Sequence, residues 1–143
     1  MSERNKQVVR QFIEAFSRGD AEAAAACLSP DAVITAKGFG KISGPRTYDF
    51  ILATTGAFTS LIPTGLRPTF HYFMAEGNRV ATEFTGDAVL VNGVPYCNEY
   101  CMTYVLEDGK ITSGHEYFCT ILADETIGPL LSDVETARKQ AED

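Results

Sequence analysis

Apolar residues recur at helical spacing early in the chain and at alternate positions later. In residues 3–18, ERNKQVVRQFIEAFSR, the residues Val8, Val9, Phe12, Ile13 and Phe16 fall on one helical face. A helix is predicted there, opened at Ser2 or Glu3 and closed by Gly19. Asp20 suits the N-cap of a second helix, AEAAAACL, which stops before Pro30. DAVITAK reads as a short strand, and GFGKISG as a turn with a second short strand. Pro45 suits the first turn of a third helix, PRTYDFILATTGAF. Beyond PTGL the period falls to two, and strands are predicted at about 66–75, 79–91, 94–106 and 110–121. Helices first and a long antiparallel meander after them describe an α+β domain, its helices packed on one face of a curved sheet. The domain spans 1–128, and 129–143 is a polar tail with a helical pattern.

Turn chemistry sets register, and register sets which side chains share a face. Asn92-Gly93 reads as a two-residue hairpin loop pairing Val91 with Val94. Asp87 then lies opposite Asn98, Thr85 opposite Tyr100 and Glu83 opposite Met102. Glu107-Asp108-Gly109 reads as a three-residue loop, which sets Tyr100 against Glu116 and Asn98 against Phe118; a two-residue Asp-Gly loop, the less favoured reading, would set Tyr100 against Tyr117. One face then carries Glu83, Thr85, Asp87, Tyr96, Asn98, Tyr100, Met102, Glu116 and Phe118. On strand 79–91 the opposite face, with Val80 and Phe84, is the more apolar. Two buried faces reconcile these patterns, one against the helices and one against a second subunit.

The chain has 143 residues, 45% hydrophobic and 22% charged, which fits one globular domain. Its net charge of −7 and its lack of basic runs argue against a nucleic-acid partner. MSERNKQVV has no apolar signal core, and no apolar run approaches a membrane span. A cytoplasmic protein is therefore expected, with Cys27, Cys97, Cys101 and Cys119 reduced, and Cys97 and Cys101 packed as thiols on a strand. Their spacing matches no zinc pattern, and GFGKISG lacks phosphate-loop spacing. No metal and no cofactor are expected.

The run AEGNRVATEFTGDAVLVNGVPYCNEYCMTYVLEDGKITSGHEY, with its Y-x-N-x-Y, DGKI and EY pieces, has a familiar order. Together with VVRQFIEAFSRGDAEAAAACLSPDAVI it resembles the SnoaL-like branch of the nuclear transport factor 2-like (NTF2-like) superfamily, over roughly residues 6–122. The resemblance implies a cone: a curved mixed sheet, mostly antiparallel, wrapped around three helices, with an internal pocket and common dimers. It implies that the face carrying Glu116 lines the pocket. Ketosteroid isomerase positions fall on Phe12, Ala36 and Tyr100 or Cys101, without the base. Limonene-epoxide hydrolase positions fall on Thr85, Glu83 and Glu116, of which only Glu116 matches in kind.

On that footing Glu116, Tyr100 and Glu83 are the candidate catalytic residues. A carboxyl in an apolar pocket has a raised pKa and shuttles protons near neutrality. Tyr100 would donate to a developing oxyanion, and Glu83 would split the titration of the pair. Substrate contacts are expected from Asn98, Thr85, Asp87, Tyr96, Met102, Phe118, Tyr48 and His71. Each has a plainer reading: Glu116 tied to Tyr100 as a structural pair, Glu83 exposed or paired with Lys37, Asn98 satisfying a bulge, and both histidines structural. Arg46 reads as a solvated helix-start residue. The implied function is a cofactor-independent acid–base enzyme of isomerase, cyclase, hydrolase or dehydratase type, acting on a small, largely apolar metabolite such as a terpenoid, steroid or polyketide. A non-catalytic ligand-binding or dimerisation module of the same fold is the alternative.

Overall fold

The computed structural model describes residues 2–131, so the expected tail lies outside the described residues from 132 onward. Helices α1 (Ser2–Ser17) and α2 (Ala21–Cys27) come first, followed by β1 (Leu28–Ala36), β2 (Gly44–Thr47) and α3 (Tyr48–Leu61). Then come β3 (Arg67–Glu76), β4 (Arg79–Val89), β5 (Pro95–Glu107), β6 (Lys110–Phe118) and the short α4 (Thr120–Thr126). The strands form one sheet in the order β2-β1-β6-β5-β4-β3. Among the described residues only the β1–β6 pair is parallel. The α+β class and the mixed, mostly antiparallel sheet are as the sequence implies.

The helical pattern of α1 buries Val9, Phe12, Ile13 and Ala15 against the sheet. Gly19, at φ 77, turns the chain out of that helix. The Asp20 carboxylate accepts the Ala23 N–H at 3.0 Å and so caps α2 as expected. The third helix begins later than its proline suggests. Gly44–Thr47 is extended and pairs with β1, Ile34 lying beside Arg46. Proline is tolerated in an edge strand, and strand pairing here overrides the local helix-start signal. That difference carries Arg46 off a helix and onto the sheet, beside the buried Ile34.

The two hairpins exchange the loop lengths expected of them. After β4, the Leu90 N–H donates to the Val94 carbonyl at 2.9 Å, and the Gly93 N–H to the Leu90 carbonyl at 2.8 Å. The loop is therefore Val91-Asn92-Gly93, with Gly93 left-handed at φ 85. Asn92 instead accepts the Val94 N–H on its side chain at 3.1 Å. The extra loop residue slips β4 by one, pairing Gly86 with Asn98, Phe84 with Tyr100 and Thr82 with Met102. A slip of one turns every β4 side chain over. Val80, Thr82 and Phe84 are buried, while Glu83, Thr85 and Asp87 go to the outer face, against expectation. The apolar alternation on β4 is satisfied in this way.

After β5, Glu107 pairs with Lys110 across a two-residue loop, Asp108 and Gly109 both taking positive φ. The register then shifts between Val105 and Leu106, with Thr112 as the extra residue on β6. The bulge returns Glu116 and Phe118 to the face of Tyr100, Met102 and Tyr104. Tyr100 sits opposite Phe118, not Glu116, and Met102 opposite Glu116. One inner row now reads Phe118, Tyr100, Phe84 and Phe70, with Phe84 and Tyr100 stacked at 4.8 Å.

Tyr104 faces Gly114 across the pair, and a Cβ on Gly114 would stand 2.4 Å from the Tyr104 ring. The ring is rigid and cannot give way cheaply. Gly114→Ala is expected to lower unfolding free energy by about 1–3 kcal/mol. Gly56, inside α3 with nothing near its missing Cβ, is the control: Gly56→Ala should raise stability by about 0.5–1 kcal/mol. Urea unfolding of the two variants checks both signs.

Candidate functional site

The inner face of the sheet, α1 and α3 enclose a cavity of about 480 Å³. Its walls are mostly apolar, with Phe12, Phe16, Phe58, Phe84, Met102 and Phe118 prominent. Helix α3 contributes Phe50, Thr54, Ala57, Phe58 and Leu61, a stripe at helical spacing. A cavity of this size and lining is of the kind that holds small apolar molecules.

Glu116 projects into this cavity from β6. Its side chain is 14% exposed, and that of Arg46, reaching in from β2, is 17% exposed. Arg46 Nη1 stands 3.3 Å from Glu116 Oε1, and Nη2 donates to the Ile42 carbonyl at 2.9 Å. The Tyr104 hydroxyl donates to Glu116 Oε2 at 3.4 Å, a long contact. The glycine seat at Gly114 lets the Tyr104 ring lie close over β6. Phe12 packs edge-on against that ring, with centroids 5.9 Å apart.

Burial is the largest influence on Glu116 and raises its carboxyl above the ordinary glutamate value. The Arg46 charge, then the Tyr104 hydrogen bond, pull it back. Burial also pushes Tyr100 and Tyr104 well above the ordinary phenol value, and the Glu116 charge adds to both. The phenols stay neutral donors while the carboxyl changes state.

Of the residues expected at the site, Glu116, Tyr100, Tyr96, Met102 and Phe118 line the cavity. Asn98 is buried and bonded to the Tyr96 hydroxyl and the Cys119 backbone. Tyr48 is half-buried against the main core and is not among the cavity residues. Glu83 is exposed on the outer face, where it faces the Tyr72 hydroxyl rather than Lys37 and pushes that phenol up. Thr85 Oγ1 and His71 Nε2 lie 3.0 Å apart on the same outer face. Asp87 lies beside Cys97 and raises its thiol. The expected carboxylate pair of Glu83 and Glu116 is thus split between two faces by the one-residue slip of β4. Tyr100 is not the partner of Glu116; Tyr104, four residues on, is.

Sequence reasoning missed Arg46, Tyr104 and Phe84. Phe84 was visible in the Val80-Thr82-Phe84 alternation. A glycine beside a tyrosine on the neighbouring strand marked Tyr104, once the bulge was known. Arg46 carried no local signal, since only its pairing with β1 aims it inward. Cys97, expected to be packed, is exposed, and all four cysteines are free thiols. Among the described residues, no group of three or more His, Cys, Asp or Glu side chains is placed to hold a metal ion. No described helix is long and apolar enough to cross a membrane.

No protein of curated function matches the chain. Several solved structures resemble it. An NTF2-like protein of unknown function from Burkholderia pseudomallei is 25% identical, with 89% of this chain and 98% of that one covered at a TM-score of 0.75. An LEH-like epoxide hydrolase from M. tuberculosis is 21% identical, covering 94% of this chain and 98% of its own, at a TM-score of 0.71. TerC, co-crystallized with polyporic acid, is 19% identical over 87% of this chain and 98% of its own, at a TM-score of 0.73. At such identities the last two show a shared fold alone. The SnoaL-like domain profile matches residues 9–114, most of the length, and the chain belongs to the SnoaL-like family.

Proposed function

We propose that this protein is an enzyme that moves a proton on a small, largely apolar molecule, with Glu116 as the proton carrier. The observation that carries this reading is a single carboxyl inside an apolar cavity, held by Arg46 and Tyr104, with its pKa raised. Burial alone favours the neutral form of such a group. The guanidinium keeps its ionised form within reach, so one carboxyl can take a proton from one atom and return it to another. Isomerisation, ring closure, ring opening and dehydration all use such a step. The apolar walls suit a terpenoid, steroid-like or polyketide compound. The reading calls for no cofactor.

An ion pair tying β2 to β6 would also serve a binding module without turnover. In such a module Glu116 would matter for stability and ligand affinity alone. A homodimer belongs to the proposal as well: the outer face exposes Tyr72, Met74 and Tyr117, which a second copy would cover.

Screening terpenoid epoxides, cyclic ketones and polyketide-like esters by mass spectrometry tests the proposal. Glu116→Gln, which keeps the shape but cannot ionise, should lower turnover of the substrate found by roughly 10²–10⁴-fold. Full activity in that variant refutes the assignment. Arg46 lowers the Glu116 pKa, so Arg46→Met should raise it further. The inflection of the pH–rate profile that reports Glu116 should therefore move to higher pH, whether the residue acts as acid or base. Tyr104→Phe should move it the same way. A shift to lower pH in either variant contradicts the electrostatic account.

A further inference from the structure

The cavity has a second polar locus, away from the Arg46–Glu116 pair. It starts from Asn98, which is 2% exposed. Its Oδ1 accepts the backbone N–H of Glu99 at 2.8 Å and that of Cys119 at 3.2 Å. Those two donors fix the orientation of the amide. Its Nδ2 then donates to the Tyr96 hydroxyl at 2.9 Å and to the Cys119 carbonyl at 3.1 Å. Every hydrogen-bonding position of the amide is used, so Asn98 is rigid and holds Tyr96 in place.

The Tyr96 hydroxyl also lies 3.2 Å from the Tyr100 hydroxyl, which donates to it. A phenol oxygen accepts few hydrogen bonds, and Asn98 and Tyr100 together fill its accepting side. Two phenol protons serve one bond between them, so one proton is left over. On this geometry it belongs to Tyr96. Both residues line the cavity, and among the described residues the Tyr96 hydroxyl donates to no protein acceptor. Ser17 adds an independent sign. It lines the same cavity, is 2% exposed, and its hydroxyl has no hydrogen-bond partner among the described residues. Unmet donors in an apolar wall favour a ligand that brings acceptors.

The charge of the ligand follows from the cations. Arg46 is already engaged by Glu116 and the Ile42 carbonyl. Lys41 is an exposed residue of the cavity margin, where water and salt screen its ammonium. An anion would meet the Glu116 carboxyl with no free guanidinium to offset it. We propose that the Tyr96–Tyr100 pair anchors an uncharged acceptor oxygen, so that the cavity selects neutral apolar compounds bearing a carbonyl. Tyr96 is the donor, and Asn98 is the residue that positions it. The inference rests on the cavity being the substrate site, and not on Glu116 being the proton carrier.

The probes are 1-tetralone, a neutral two-ring ketone, its hydrocarbon tetralin, and the matching 1-carboxylate, each titrated into the full chain by calorimetry. The wild type should bind the ketone about tenfold more tightly than the hydrocarbon, and the carboxylate more weakly than the ketone. The carbonyl stretch of bound 1-tetralone should fall below its value in alkane. Tyr96→Phe should remove most of the preference and return the stretch toward the alkane value. Tyr100→Phe leaves the Tyr96 proton free and should retain the preference. Equal binding of ketone and hydrocarbon to the wild type, or no binding of the ketone, overturns the proposal. So does an unchanged preference in Tyr96→Phe. The infrared measurement on the wild type holds even if a variant fails to fold. Glu116→Gln should keep the ketone preference, so an error about the anchor and an error about the proton carrier give different results.

Discussion

A carboxyl and a guanidinium meet 3.3 Å apart in a cavity whose other walls are mainly aromatic and aliphatic. Removing two charges from water is costly, and their attraction offsets that only when further hydrogen bonds complete the set. Here the Ile42 carbonyl completes Arg46, and the Tyr104 hydroxyl completes Glu116. Apolar residues of similar volume would fill the same space without this cost. A pair kept under such conditions is weak evidence for stability and better evidence for a task.

The pair depends on two local features of the sheet, a bulge and a short edge strand. The bulge at Thr112 sets the parity of β6, so that Glu116 and Gly114 face inward together. The extended Gly44–Thr47 segment brings Arg46 across β1 to the same face. Gly114 then gives Tyr104 the room to reach along β6 toward the carboxyl. Loss of the bulge would turn Glu116 out of the cavity, and loss of either of the others would leave it there with an incomplete set of partners. The aromatic row from Phe70 to Phe118 keeps the surroundings of low polarity, which is the condition for the raised carboxyl.

Much of this was legible in the chain. The helices, the Asp20 cap, the four-stranded meander and the inward aim of Glu116 follow from periodicity, turn residues and the family resemblance. The β4 face did not, because Asn92-Gly93 supports either a two- or a three-residue loop, and a single residue decides the face. The apolar side of β4 held the better clue: burying Phe84 outweighs a preferred turn type, which is why Glu83, Thr85 and Asp87 lie outside. Glu116 landed on the expected face because a two-residue loop followed by a bulge has the parity of the loop expected. Arg46 shows the limit most clearly. Its neighbours spell a helix start, and only contact with a strand ten or more residues earlier in the chain makes it part of the site.

The central claim is that Glu116 titrates as a buried acid held by its partners. Carbon-13 NMR of the glutamate side-chain carboxyls, followed across pH in the wild-type protein, measures this directly. The account predicts that the Glu116 resonance titrates at higher pH than an ordinary glutamate carboxyl. A Glu116 midpoint at or below the ordinary glutamate value would contradict it.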